Sequence, residues 1–120
     1  MMNLNAVAKI SYENAKKRQE IGGKVNPEAY PMLKHCATEV IEAMQAFDDW
    51  QTDLRFGAVS MGVTDPGFVV DYKQHFEDEL ADIICGCTII AGRHNLDIES
   101  AVIRCVERNK KRANKQGDKW

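Results

Sequence analysis

Two segments of the chain carry a pair of carboxylates three residues apart, with a histidine four residues before the pair. Steps of three and four residues place side chains on one face of an α-helix, so each segment predicts a helix with an acidic face. The residues are His35, Glu39 and Glu42 in the first segment and His75, Glu79 and Asp82 in the second. The four carboxylates are candidate catalytic and metal-binding residues.

Both acidic faces border apolar residues, since Glu39 precedes Val40 and Glu79 precedes Leu80. A carboxylate at the edge of a core is costly unless it is paired or binds a metal. Four carboxylates from two packed helices favour Mg²⁺, Mn²⁺ or Ca²⁺ over zinc, and we expect Mg²⁺, with Mn²⁺ as an alternative. One such motif alone is more often a solvated surface, but two in the same register to an apolar stripe favour a metal site. The two histidines are more often ordinary helix-face residues than ligands.

The last helical segment is basic, in contrast with the acidic segment 39–82. Its apolar face, Ile98, Val102 and Cys105, continues by helical steps to Asn109 and Arg112. Arginine offers phosphate a planar fork of donors, and lysine offers a point charge. A helix end that frays into solvent would show the same pattern. The candidates for phosphate binding are Asn109, Lys110, Lys111 and Arg112.

Four helices account for most of the hydrophobic periodicity. The first helix is expected at about residues 4–20, and the second from 27 to 50 or 54. The third is expected from 71 to 92 or 93, and the fourth from 96 or 98 onward. Asn26 is the expected N-cap of the second helix, and Asn95 and Asp97 are alternative N-caps of the fourth. Glycines and a proline predict an irregular loop over residues 55–70, and loops of this length often have a function.

Apolar residues at helical spacing predict which face of each helix packs inward. No stretch alternates as a strand would. The fold class is therefore all-α, a four-helix-type bundle in a single domain, residues 1–120, whose core is completed by oligomerisation. The expected inward stripes are Ala6, Ile10 and Ala15; Leu33, Ala37, Val40, Met44 and Phe47; Phe76, Leu80, Ile83, Ile84, Cys87, Ile90 and Ala91; and Ile98, Val102, Cys105 and Val106.

Composition is that of a globular protein, with 28% charged and 44% hydrophobic residues. The first residues lack the apolar run of a secretory signal, and no stretch approaches the ~20 apolar residues of a membrane span. We therefore expect a cytoplasmic protein without membrane association. The four cysteines lie within apolar helical patterns and are expected to be reduced core thiols.

The order of these motifs resembles the MazG-like family of all-α nucleoside triphosphate pyrophosphohydrolases. The resemblance covers about residues 28–115. It rests on Glu39-x-x-Glu42, then Glu79-x-x-Asp82, then Asn109-x-x-Arg112 among lysines. It implies hydrolysis of a nucleoside triphosphate to the monophosphate and pyrophosphate, with nucleotide-pool house-cleaning as one role. It also implies Mg²⁺ on the four carboxylates, phosphates held by the basic helix, and a homodimer or homotetramer.

A nucleotide base would stack on an aromatic residue near the first acidic motif. Phe47 fits a core position better, whereas Trp50 fits an interface and a base pocket equally well. Trp50 is therefore a further candidate for substrate binding.

Two other classes of protein compete with this interpretation. A di-metal carboxylate bundle also uses paired glutamates and histidines, but it requires Glu-x-x-His spacing, which neither His35 nor His75 provides. A non-catalytic nucleotide- or nucleic-acid-binding module would use the basic residues of 104–119. The net charge of −2 and the lack of a recognition-helix pattern make nucleic acid the weaker hypothesis.

Overall fold

The structure, a computed structural model, describes residues 3–24, 26–60 and 71–114. These residues form four α-helices: α1, Leu4–Glu20; α2, Ala29–Ser60; α3, Tyr72–Arg93; and α4, Ile98–Ala113. No strand occurs among the described residues, so the all-α fold class is confirmed. None of the helices in this described part is long and apolar enough to cross a membrane.

Short polar side chains fix where the helices begin. Asn3 accepts a hydrogen bond from the Ala6 backbone N–H at 2.8 Å, and Asp71 accepts one from Gln74 at 2.9 Å. Asp97, rather than Asn95, caps α4, since its carboxylate accepts from both the backbone N–H and the hydroxyl of Ser100. These local bonds satisfy backbone donors that a helix start leaves open, which explains why the sequence predicts these starts well.

The limits of α2 differ from the prediction at both ends. Asn26 accepts from the Glu28 backbone N–H at 3.0 Å, but the helix begins only at Ala29. At the other end α2 continues to Ser60, so the predicted loop is wrong for residues 55–60. A helix tolerates a glycine at a cost of about 1 kcal/mol, and Gly57 does not end this one. Residues 61–70 of the predicted loop lie outside the described part of the chain.

The internal contacts of the chain divide it into two compact units, each described by itself. The central unit is Tyr30–Cys87, and the terminal unit comprises Met1–Ala29 and Thr88–Trp120. The single-domain interpretation stays a prediction.

In the central unit α2 and α3 pack antiparallel. Cys36 lies against Gly86 at one end, and the rings of Phe47 and Phe76 lie 5.3 Å apart at the other. Gly86 permits the close approach, because a Cβ there would lie 2.5 Å from the Cys36 sulfur.

The buried face of α2 is not the stripe of large apolar residues that the sequence predicts. Leu33, Val40, Met44 and Phe47 are exposed. A neighbouring stripe with the same spacing is buried instead, and its small side chains allow α3 to come close. This stripe consists of Met32, Cys36, Glu39, Ala43 and Ala46.

The face of α3 that packs on α2 is likewise offset from its expected stripe. Leu80 and Ile84 are exposed, whereas Phe76, Glu79, Ile83 and Gly86 have reduced exposure. Each packed stripe therefore has a glutamate among its apolar residues, at Glu39 on α2 and at Glu79 on α3.

In the terminal unit α1 packs against the end of α3 and the start of α4. Gly92 lies so close to α1 that a Cβ there would overlap the Ala8 carbonyl oxygen. The Asn5 amide donates to Asp97 at 3.0 Å, and the Leu4 backbone N–H donates to Glu99 at 3.3 Å. The inward stripe predicted for α1 is wrong at one position, since Ile10 is exposed. Ala8 and Ala15 are the buried residues of this helix.

The apolar face predicted for α4 is also more open than expected, with Val102 and Val106 exposed. The cysteines differ from the core-thiol prediction as well. Cys36 is buried and Cys105 is half-buried, but Cys85 and Cys87 are exposed. The i,i+3 and i,i+4 periodicity therefore places cysteines on helices correctly without fixing which of them is covered.

Candidate metal centre

Glu39 and Glu79 occupy the packed faces of α2 and α3, within the central unit. Glu39 is only 9% exposed, and the side chain of Glu79 is nearly as well covered. Burying an ionised carboxylate costs several kcal/mol unless a cation or hydrogen-bond donors compensate. We therefore expect a cation or hydrogen-bond donors beside these two carboxylates.

Each of the two glutamates has a histidine one helical turn before it. His35 Nε2 lies 2.8 Å from Glu39 Oε1, and His75 Nε2 lies 3.7 Å from Glu79 Oε1. Each histidine thus lies nearest Oε1 of its glutamate, and only His35 is within hydrogen-bonding distance.

The second oxygen of each carboxylate is buried and lacks a hydrogen-bond partner. Within the described residues, the buried side-chain polar atoms without a hydrogen-bond partner are Oε2 of Glu39 and Oε2 of Glu79. Native proteins leave few buried polar atoms unsatisfied. A divalent cation would satisfy both atoms, because hard oxygen donors are what Mg²⁺ and Mn²⁺ bind. The residues present therefore fit such an ion.

Glu42 completes a cluster of three carboxylates. One oxygen each from Glu39, Glu42 and Glu79 lies within 4.8 Å of the others, and Glu42 is exposed, which gives the cluster an open side. Asp82 is exposed too and is close enough to raise the pKa of Glu39. The structure thus brings together three of the four predicted carboxylates and places the fourth nearby.

The electrostatics of Glu39 reflect this crowding. Burial raises the pKa of Glu39 above its ordinary value of 4.5, and the negative charge of Glu42 raises it further. His35 lowers the pKa of Glu39, and the charge of Asp82 raises this pKa by a smaller amount. The cluster as it stands holds an excess of negative charge, which a bound cation would neutralise.

The sequence interpretation treats His35 and His75 as ordinary helix-face residues, whereas the structure places each of them beside a glutamate of the cluster. Their spacing of four residues before Glu39 and Glu79 is the signal that could have identified them, since i,i+4 side chains meet on a helix. Histidine and glutamate at this spacing are common, so the signal alone is weak. What the sequence cannot supply is that Glu39 is buried and that the side chain of Glu79 is nearly as well covered.

Trp50 lies in the central unit within an aromatic cluster. Its ring stacks on Phe76 at 5.9 Å and meets the edge of Phe47 at 6.1 Å. One face of Trp50 is thus covered by this cluster, and its predicted contact with a base stays a prediction.

The predicted phosphate-binding residues lie in α4, in the terminal unit. Asn109 is half-buried and its amide donates to the Cys105 sulfur at 3.7 Å. Lys110, Lys111 and Arg112 are exposed. Their predicted role beside the carboxylates stays a prediction.

An apolar groove of about 400 Å³ also lies between α2 and α3. Its lining includes the exposed residues Val40, Met44, Phe47 and Leu80. The helix pair therefore carries an apolar surface next to the seam that holds the glutamates.

Comparison with known proteins adds no relative. No protein-family model, curated protein or solved structure matches this chain. The resemblance to MazG-like enzymes therefore stays a prediction, and the case for a metal centre depends on the carboxylate geometry.

Proposed function

We propose that the chain is a Mg²⁺-dependent hydrolase that converts a nucleoside triphosphate to the monophosphate and pyrophosphate. The observation that carries the proposal is the pair of buried, unsatisfied Oε2 atoms on Glu39 and Glu79. The choice of reaction rests on the resemblance of the ordered acidic and basic motifs to those of MazG-like enzymes.

Glu39, Glu42, Glu79 and Asp82 would hold Mg²⁺, or Mn²⁺ in its place. The ion would supply charge neutralisation to the phosphate oxygens of the substrate. His35 would hold Oε1 of Glu39, from which its Nε2 lies 2.8 Å away, and so leave Oε2 for the ion; His75 would support Glu79 less tightly, at 3.7 Å. One of the exposed carboxylates, Glu42 or Asp82, would orient the attacking water and accept its proton.

Substrate recognition is the less direct part of the proposal. Asn109, Lys110, Lys111 and Arg112 carry the donors that phosphates require, and Trp50 offers a ring to a base. A house-cleaning role and the cytoplasmic location expected from the sequence are further predictions.

A homodimer or homotetramer is part of the same proposal. Exposed apolar residues on α2 and α3 continue along both helices of the central unit, where a second copy would cover them. They are Leu33, Val40, Ile41, Met44, Phe47, Leu80 and Ile84.

The first experiment is a turnover assay on the purified protein. A panel of standard and modified nucleoside triphosphates would be incubated with Mg²⁺, and in parallel with EDTA, and the products resolved by chromatography. We expect monophosphate and pyrophosphate, lost in EDTA. Diphosphate with phosphate would reject the proposed bond cleavage. Iron in the purified protein would favour the di-metal bundle, and salt-sensitive nucleic-acid binding without turnover would favour the binding module.

Variants with matched controls connect any turnover to the cluster. Glu79→Gln and Asp82→Asn should abolish activity and leave the helical circular dichroism unchanged. Glu77→Gln and Asp78→Asn make the same changes at exposed positions of α3 outside the cluster and should remain active. Full activity in Glu79→Gln would overturn the proposed metal centre.

A further inference from the structure

Two cysteines from the facing helices of the central unit meet beside the carboxylate cluster. The Cys36 sulfur lies on the α3 backbone at Gly86, and the next residue of α3 is Cys87. Burial raises the pKa of the Cys36 thiol, and the neighbouring Cys87 thiol raises it further by its charge and by a hydrogen bond. Gly86 allows the helices to approach closely at this level, and a disulfide between two helices requires a close approach.

The two thiols differ in their access to solvent. Cys87 is exposed and Cys36 is buried, so a dissolved oxidant reaches Cys87 first. A second thiol in contact with the oxidised one is the arrangement of redox-responsive cysteine pairs. Cys85 is also exposed, but two residues along a helix it projects in a different direction from Cys87.

We propose that Cys36 and Cys87 form a reversible intramolecular disulfide that links α2 to α3. A peroxide would oxidise the Cys87 thiolate to a sulfenic acid, with cleavage of the O–O bond and release of water. The Cys36 sulfur would then attack the Cys87 sulfur, form the S–S bond and displace the hydroxyl group as a second water. The two thiols lose two electrons, which the peroxide accepts, and a dithiol reductant reverses the reaction.

The disulfide would act on the carboxylates through α2. Cys36 precedes Glu39 by three residues and belongs to the same buried stripe. Drawing the two sulfurs from hydrogen-bonding to covalent distance moves α2 against α3 within one turn of Glu39. Since the cluster joins Glu39 to Glu79 across these helices, we expect oxidation to weaken Mn²⁺ or Mg²⁺ binding by about 10-fold or more, the usual effect of disturbing the support of a metal ligand.

The disulfide is tested by peptide mapping of the full chain. The reduced protein is treated with stoichiometric hydrogen peroxide, remaining thiols are alkylated, and trypsin is added without reductant. We expect a linked pair of peptides 35–55 and 74–93, lost on treatment with dithiothreitol. Because Cys85 and Cys87 share one peptide, the linkage should persist in Cys85→Ser and disappear in Cys87→Ser. Absence of the linked pair or its survival in Cys87→Ser would overturn the proposal, and so would oxidised protein that migrates only as a disulfide-linked dimer in non-reducing electrophoresis.

The effect on the carboxylate cluster rests on the proposed function and is measured separately. Mn²⁺ affinity is determined by calorimetry for reduced and oxidised protein, with Cys87→Ser as the oxidation-resistant variant. Weaker binding only in the oxidised wild-type chain supports the regulatory effect, and equal affinity overturns it. If the reduced chain binds no Mn²⁺, the proposed function fails, whereas the peptide map still decides whether the disulfide forms.

Discussion

The Nε2 atom of His35 lies 2.8 Å from Oε1 of Glu39, and the other oxygen of this buried carboxylate has no hydrogen-bond partner among the described residues. The same relationship recurs on α3 between His75 and Glu79, at the longer distance of 3.7 Å. Two helices thus present the same arrangement to one another. An imidazole that holds one oxygen fixes the orientation of the other, which is how outer residues support metal ligands.

Removing either histidine should therefore weaken metal binding without removing a ligand. We expect His35→Ala to lower Mn²⁺ affinity by about 10–100-fold. His75→Ala should have a smaller effect, because its contact is longer. His94→Ala is the matched control, since His94 is exposed and belongs to the terminal unit. Calorimetric titration measures all three, and unchanged affinity in His35→Ala would show that the imidazole does not support the carboxylate.

The sequence predicts the helices better than it predicts their packed faces. The start of α4 could be placed because the bonds from Asp97 to Ser100 are local. The face that a helix buries depends on its neighbour, which periodicity alone does not identify. Large residues such as Val40 and Met44 indicate one face of α2, but the small residues Ala43 and Ala46 are the ones that face inward.

The sequence likewise predicts which residues of the candidate site are neighbours on a helix, but not how deeply they are buried. Spacing identifies Glu39 and Glu42 as neighbours on one face, and the structure agrees. Spacing alone places Glu39 at the edge of a stripe, whereas in the structure it lies within the packed stripe between Cys36 and Ala43. The unsatisfied Oε2 atoms follow from that burial and have no signature in the sequence.

Glu39→Gln should stabilise the metal-free protein and abolish its stabilisation by metal. The amide removes a buried charge that His35 offsets only at Oε1, and a buried group left without a partner costs about 1–3 kcal/mol. In the wild-type chain, Mg²⁺ at 100 times its dissociation constant should add about 2.7 kcal/mol of stability. Glu42→Gln is the comparison, because Glu42 is exposed. The Glu42→Gln variant should no longer be stabilised by Mg²⁺, but without metal it should be no more stable than the wild-type chain. Urea denaturation with and without Mg²⁺ measures both, and a less stable metal-free Glu39→Gln would contradict the uncompensated charge.

Stability of the metal-free protein should fall as the pH rises. Because the pKa of Glu39 is raised above 4.5 in the folded chain, this carboxyl group binds more protons in the native state than in the unfolded state between the two pKa values. Unfolding then becomes less costly as the pH passes upward through the raised pKa. Metal binding should follow the opposite trend, since protons compete for the carboxylate. Wild type and Glu39→Gln are compared by denaturation at successive pH values. A stability difference between them that does not change with pH would contradict the raised pKa.

Covering the apolar surface of the central unit should require a second copy of the chain. Met44 is 64% exposed in the middle of the exposed stripe on α2. Met44→Glu would place a charge where two copies meet, and we expect it to shift a dimer or tetramer towards monomer in sedimentation velocity. Ile21→Glu is the matched control, because Ile21 is 85% exposed and lies in the terminal unit. A wild-type chain that sediments as a monomer at high concentration, or a Met44→Glu variant that assembles like wild type, would show that this stripe is not the interface.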